Sequence, residues 1–288
     1  MLRVPSEIKA DQFESLKIQE STFVAYRSNI YPSKNDVFFE ENAVLYILEG
    51  DKIFSSSNSE VRVKKGDVLF VKRGYYLMSE SIDESYKSLV FFFEEKLLKE
   101  FVSQHLEIFQ TNSQPAATQN SWLLVLQSNE AFGKYIDSLL PYFKTQSRYH
   151  NQILKLKLQE LLLHLLEFDR HQQLRQLLFS IYAGQKADLD YIVDTFAVKP
   201  LNINELARLS GRSLSSFKRD FIEKFSQSPG KYIKDKKLEH AAFMLKNKLG
   251  NVEQVSESIG YESVSHFIKG YKEKFGQTPF QSVKEKES

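Results

Sequence analysis

Two short stretches of the chain set serines, lysines and an arginine between regularly spaced aromatics. In the first, Ser213, Ser215, Ser216, Lys218 and Arg219 surround Phe217 and precede Phe221. In the second, Ser263, Ser265, His266, Ile268, Lys269 and Lys272 surround Phe267 and Tyr271. Apolar side chains four residues apart share one face of an α-helix, so the residues between them point outward. Short hydroxyls and cations on an outward face suit two tasks. They hold phosphate oxygens, and they reach the hydrogen-bonding edges of bases in a major groove. Ser215, Ser216, Lys218 and Arg219, with Ser265, His266, Ile268 and Lys269, are the candidate reading side chains. Ser213, Ser263 and Lys272 are candidate phosphate contacts. For each of them a solvated surface residue is the competing reading.

The stretches belong to one pattern written twice. INELARLSGRSLSSFKRDFIEKFSQSP runs from Ile203 to Pro229, and VEQVSESIGYESVSHFIKGYKEKFGQTP from Val252 to Pro279. Leu206 answers Val255 and Gly211 answers Gly260 at a spacing of 49; Phe217 answers Phe267, and Pro229 answers Pro279, at a spacing of 50. Matched glycines, aromatics and prolines indicate two copies of a helix-turn-helix unit, with one residue added in the second turn. Asn202 and Asn251 are placed to cap the first helix of each copy, and Ser213 and Ser263 the second. Phe217, Phe221 and Phe225 form one inward stripe, and Phe267, Tyr271 and Phe275 the other. Residues 230–248 read as a connecting helix with Tyr232, Ile233, Leu238, Ala241, Ala242, Met244 and Leu245 inward. Such a connector sets the two outer helices apart by a fixed distance, suited to successive major grooves on one DNA face.

The stretch GYESVSHFIKGYKEKFGQTPFQSV, with the connector KYIKDKKLEHAAFMLKN, resembles the DNA-binding domain of the AraC/XylS transcription regulators. The resemblance implies a DNA-binding regulator that most often activates transcription by touching RNA polymerase. Ser282 stands near the family's usual tyrosine. Lys269 stands where an arginine is common, which departs from bidentate guanine reading. Val264 replaces a more usual polar residue and could meet a thymine methyl. The family often carries a cupin-like regulatory domain. GDVLFVKRGYY also resembles the subgroup that includes activators of type III secretion, in which a partner protein can be the controlling signal.

The rest of the chain must position and control this repeat. Of its 288 residues, 42% are hydrophobic and none is cysteine, which excludes disulfides and thiolate metal sites. Residues 199–286 carry 17 lysines and arginines against 10 acids, +7, while the whole chain is only +2. That local excess points to a polyanion partner, or to a charged solvated surface. Alternating or apolar runs at Thr22–Arg27, Asp36–Glu40, Ala43–Leu48, Lys52–Ser55, Glu60–Val63, Asp67–Val71, Tyr76–Ser79 and Lys87–Phe93 read as strands. VKKGDVLFVKRGYYLMSE resembles a cupin-type barrel. No histidine lies between Ala43 and Phe93, so the imidazoles of a catalytic cupin metal site are missing. Tyr46, Phe54, Phe70, Tyr75, Tyr76, Phe91, Phe92 and Phe93 line either a pocket or, more commonly, a core. Residues 94–109 read as a helix and 111–121 as a loop. In Asn151–Arg170, Leu154, Leu158, Leu161 and Leu165 follow a coiled-coil seam and are the candidate homodimer contact, with packing on the chain's own domain as the alternative.

The expected fold class is α+β: an N-terminal cupin-like β-barrel over residues 1–115, a helical linker or dimerisation segment over 116–185, and an all-α domain of two helix-turn-helix units over 186–288. The expected function is a sequence-specific DNA-binding transcriptional regulator, governed by a small molecule or a partner protein. It is expected to be non-catalytic and cytoplasmic, with no cofactor, no metal and no membrane partner. Two alternatives remain at this stage. One is a cupin-type enzyme with an adaptor C-terminus. The other is a protein-interaction module without DNA binding.

Overall fold

A computed structural model describes residues 1–7, 14–18, 21–28, 35–55, 60–80, 86–109, 123–143 and 147–284. The chain divides into two compact units, Met1–Gln185 and Lys186–Ser288. The division suggested near residue 115 lies inside the first unit, and the loop expected over 111–121 lies outside the described residues.

The first unit opens with β1 (Leu2–Val4), β2 (Glu14–Ile18), β3 (Ser21–Ser28), β4 (Asn35–Phe39), β5 (Asn42–Glu49) and β6 (Asp51–Ser55). It continues with β7 (Glu60–Lys64), β8 (Asp67–Val71), β9 (Gly74–Glu80) and β10 (Tyr86–Phe93). Two helices follow, α1 (Glu95–Gln104) and α2 (Leu106–Phe109), then β11 (Leu123–Gln127) and α3 (Glu130–Leu139), a 3-10 turn (Leu140–Phe143), α4 (His150–Phe168) and α5 (Gln173–Tyr182). All eight strands expected from the sequence form. The short β1, β2 and β11 were not anticipated; β11 lies beyond the expected end of the β-region, where it pairs antiparallel with β8.

The strands make two sheets, ordered β1-β4-β9-β6-β7 and β11-β8-β5-β10-β3-β2. Among the described residues no pairing joins one sheet to the other, so the β-structure is two open sheets rather than a closed barrel. In the six-stranded sheet, β8 and β10 are buried on both faces. On β10, Tyr86, Val90 and Phe92 join the cluster that includes Phe39, Phe54 and Val63 of the other sheet, while Leu89, Phe91 and Phe93 join the helices. β8 divides the same way, with Leu69 and Val71 on one side and Val68 and Phe70 on the other. A strand covered on both faces needs apolar residues at every position, which explains the unbroken run LVFFF. Phe54, Phe70, Tyr76, Phe91, Phe92 and Phe93 are therefore core, whereas Tyr46 and Tyr75 are half-buried.

The helices complete the second core. Leu98, Phe101 and Val102 of α1, Phe132 and Ile136 of α3, and Leu174 and Leu178 of α5 pack with the outer face of the sheet. Leu154, Leu158, Leu161 and Leu165 of α4 lie in the same cluster, each no more than 1% exposed. This corrects the dimer seam. Their spacing suits either partner, and the sheet face has taken them, so they are unavailable to a second chain. His164 sits among the rings of Phe132, Tyr135 and Phe168. Among the described residues no three His, Asp or Glu side chains are placed to share a metal ion, and no helix is long and apolar enough to cross a membrane.

The second unit is helical: α6 (Leu189–Phe196), α7 (Ile203–Leu209), α8 (Leu214–Phe225), α9 (Pro229–Lys246), α10 (Val252–Ser258), α11 (Val264–Phe275) and α12 (Pro279–Lys284). Its central α9 touches α8 of the first copy and α10, α11 and α12 of the second. The 18 residues of α9 span about 27 Å.

Truncating Leu161 to alanine should cost about 2–5 kcal/mol in denaturant unfolding and leave the sedimentation coefficient unchanged. Leu156→Lys, at a position 64% exposed on the same helix, should shift stability by no more than about 0.5 kcal/mol. A change of oligomeric state with Leu161→Ala and no loss of stability would restore the seam.

Candidate nucleic-acid interface

Each copy of the repeat is fixed by the same local chemistry. The Asn202 carboxamide accepts the Glu205 amide at 3.0 Å, and the Glu205 carboxylate accepts the Asn202 amide at 2.7 Å. Asn251 and Gln254 make the equivalent box at 2.8 and 3.0 Å. Each box satisfies two amides at the start of a helix that has no preceding turn to receive them. At the other end of α7 the Arg212 amide reaches back to Ala207 O at 3.0 Å; after α10 the Tyr261 amide reaches Ser256 O at 3.1 Å. Both closures bend through a left-handed glycine, Gly211 at φ +69° and Gly260 at φ +80°. At Gly260 space matters too, since a Cβ there would stand 2.7 Å from Pro200 Cα.

The second helix of each copy then begins on a serine cap. Ser213 Oγ accepts the Ser216 amide at 3.2 Å, and Ser263 Oγ accepts the His266 amide at 3.3 Å. Its rotation is set by aromatics. Phe217 and Phe221 are fully buried, and Phe221 meets Phe225 and Tyr232 at 4.5 and 5.5 Å between ring centres. In the second copy Phe267 and Tyr271 are buried, 5.7 Å apart, and Tyr261 lies 5.5 Å from Phe267. The last ring of each stripe is less enclosed than expected: Phe225 is half-buried and Phe275 is 36% exposed, because each sits on the final helical turn, at the edge of its core.

With the stripes inward, Ser213, Ser215, Lys218 and Arg219 are exposed on α8, and Ser216 is half-buried. Ser263, Ser265, His266, Lys269 and Lys272 are exposed at and along α11. Ile268 departs from expectation. It is half-buried against the cluster of Phe267, Val255 and Leu238, one helical step round from the exposed face. Lys218, Lys269 and Lys272 have no ion-pair partner among the described residues, so their charges are uncommitted.

Arg219 is differently placed. Asp220 gathers three cations: Arg212 at 3.0 Å, Lys186 at 3.1 Å and Arg219 at 3.2 Å. The Arg212 and Lys186 hydrogen bonds, before that of Arg219, hold the Asp220 carboxyl down at about 2. Arg212 also donates to Ala187 O at 2.7 Å, and Lys224 bridges Asp188 and Asp190 at 3.1 and 2.5 Å. The segment entering the second unit is thus tied by side chains to α8. The first copy fixes its turn with ions, whereas the second packs Tyr261 in the corresponding region. Sequence reasoning passed over Arg212, Lys186 and Tyr261. Arg212 and Tyr261 stand at equivalent turn positions where the two copies differ, whereas Lys186 lies outside the repeat and carried no such signal.

Residues 206–284 match the profile of a helix-turn-helix domain, and residues 42–177 that of the ExsA N-terminal regulatory domain. The chain thus carries a regulatory domain of the ExsA N-terminal kind and a helix-turn-helix domain. The regulator is similar to YdeC, an HTH-type transcriptional regulator of Bacillus subtilis. The two are 23% identical over 244 residues, covering 79% of this chain and 78% of YdeC. An HTH-type regulator of Haemophilus influenzae is 30% identical over 89 residues, 30% of each chain. A structure of apo ToxT from Vibrio cholerae covers 92% of this chain and 97% of its own at 14% identity, with a TM-score of 0.45. The regulatory-domain match runs through strands and helices of the first unit together, and it includes GDVLFVKRGYY. The protein is accordingly a DNA-binding transcriptional regulator with an N-terminal regulatory domain.

Replacing Gly260 by alanine should destabilise the second unit by at least about 1–2 kcal/mol from backbone strain alone, with the Pro200 contact adding to it. Thermal unfolding of the full chain measures this, and an unchanged midpoint would show that the turn relaxes. Asp220 supplies a pH test. Its folded value lies below the ordinary carboxylate value of 3.8, so its stabilising contribution is complete above about pH 4 and is lost as pH falls toward 2. Asp220→Asn should remove that part of the acid sensitivity; identical acid-unfolding profiles for variant and wild type would contradict the assignment.

Proposed function

We propose that the regulator reads promoter DNA through α8 and α11 together. Ser215, Ser216, Lys218 and Arg219 face one major groove, and Ser265, His266 and Lys269 the next. The supporting observation is the pair of capped helices whose buried aromatics turn cationic, largely uncommitted faces outward from one connector. Ile268 lies at the margin of its reading face, where an apolar side chain can still touch a thymine methyl. Ser213 and Ser263 use an oxygen lone pair to cap their helices. Each hydroxyl proton remains free to donate to a phosphate, and Lys272 supplies charge one turn on. The inserted residue in the second turn makes the two faces unlike, so the target is two dissimilar half-sites rather than a palindrome.

Under this proposal the protein is non-catalytic and activates transcription by contact with RNA polymerase. The first unit receives the signal, a small molecule or a partner protein. Dimerisation through Leu154, Leu158, Leu161 and Leu165 forms no part of it, because those side chains are buried in the chain's own core.

Selection of genomic fragments on the full-length protein, followed by gel-shift titration, tests the reading. A specific shift should weaken steeply with salt. Arg219→Ala with Lys269→Ala should lower specific affinity at least about 100-fold, given roughly 1–3 kcal/mol for each base contact, and leave the circular dichroism spectrum and melting midpoint unchanged. Equal affinity of variant and wild type for the selected site would show that the reading faces lie elsewhere.

A further inference from the structure

Between the two helix-turn-helix copies, within the second unit, lies a cleft of about 620 Å³. Lys218 of α8 and His266 of α11, both on the reading faces, line it together with Lys234 and Lys237 of the connector and with Tyr261 and Glu262 of the second turn. Its charged groups are the three lysines and Glu262, set in a wall that is otherwise mostly apolar, with Leu201, Ile203, Leu214 and Ile233.

Lys237 is the unusual member. It is only 9% exposed, although lysine is among the residue types least often buried. Its ammonium has three donors, and the hydrogen bond it makes is a long one, to Leu201 O at 3.4 Å. Burial pushes its proton affinity down, and the charge of Glu205 opposes that shift. A packing role alone would be filled at lower cost by leucine or methionine, since a buried charge with unused donors is expensive. Lys234, less buried, pairs with Glu273 at 3.2 Å.

We propose that this cleft is a phosphate seat, with Lys237 as its anchor and Lys218, Lys234 and His266 around it, occupied by a backbone phosphate of the bound DNA. The inference rests on the reading that α8 and α11 enter successive major grooves. On such a duplex the segment between the two grooves turns its minor groove and flanking phosphates toward the protein. The cleft lies between the two reading helices and therefore faces that segment. A phosphate there meets a partly desolvated ammonium, where a charge-assisted hydrogen bond is stronger than at an exposed lysine. The contact carries no base information. It sets the register of the duplex on the two reading helices.

The test uses the full-length protein and a duplex recovered by the genomic selection. Each phosphate between the two contacted major grooves is replaced singly by a neutral methylphosphonate, and affinity is measured for wild type, Lys237→Gln and Lys234→Gln. At one or two positions the neutral linkage should weaken wild-type binding about tenfold and leave Lys237→Gln unaffected. Lys237→Gln should also reduce the slope of log affinity against log salt by about one, with sequence preference unchanged. Melting curves establish that each variant is folded; if Lys237→Gln unfolds, the Lys234→Gln comparison and the wild-type methylphosphonate profile decide. A wild-type profile insensitive at every position, or a Lys237→Gln protein with wild-type slope and profile, overturns the proposal. Titration of inorganic phosphate without DNA separates the two sources of the group. Thermal protection of wild type but not of Lys237→Gln, together with a flat methylphosphonate profile, would assign the seat to a free phosphate and overturn the DNA assignment. Failure to recover any specific duplex would instead count against the reading of DNA by α8 and α11.

Discussion

The burial of two aromatic rings on each outer helix sets the angle at which that helix presents itself. Phe217 and Phe221 on α8, and Phe267 and Tyr271 on α11, are no more than 2% exposed. A rotation of 100° about either helix axis would lift these rings into water and lose several kcal/mol of apolar burial. It would also carry the lysines into the core, where they have no partners. The direction of Lys218 and Arg219, and of His266 and Lys269, is thus a consequence of where the phenyl groups go. Capping boxes and glycine closures act one level below, by fixing where each helix starts and how its predecessor ends.

The two copies reach this common geometry by different means. In the first, Arg212 and Asp220 tie the turn to the reading helix, and Lys186 and Lys224 tie the entering segment to the same helix. The Arg219 guanidinium is consequently oriented by a carboxylate. In the second, Tyr261 packs on Phe267 and His266, and among the described residues no acid restrains Lys269. Orientation by an ion pair favours planar guanidinium recognition, while a free ammonium is a mobile point charge. The asymmetry in sequence, one extra residue and an exchange of ion pairs for rings, becomes an asymmetry in how the outer helix of each copy is held.

Packing demands of another kind shape the regulatory unit. Its six-stranded sheet is covered on one side by the second sheet and on the other by α1, α3, α4 and α5. This double coverage draws in Leu154, Leu158, Leu161 and Leu165 of α4, so those four side chains have no surface to offer a second chain. It also explains why aromatics that could have lined a ligand cavity are core instead: neither face of the central strands is open.

Local chemistry written in the sequence was enough to determine the repeat and its helices. Asparagine caps, glycines at the closures, serines before the outer helices and aromatics every four residues act over one or two helical turns, so their consequences can be read directly. The same locality made the outward residues of α8 and α11 legible, the half-buried Ser216 and Ile268 excepted. Partner choice between equally suitable surfaces was left to the tertiary structure. A leucine seam fits a sheet as well as another helix, and only the presence of the sheet face assigned it. Arg212, Asp220 and Lys186 lie up to 34 residues apart, and their meeting depends on how α6, α7 and α8 pack. The burial of Lys237 depends likewise on the approach of Leu201, 36 residues away, to the connector. Charges attract whatever approaches them, so their pairing follows from the fold and has no period of its own in the sequence.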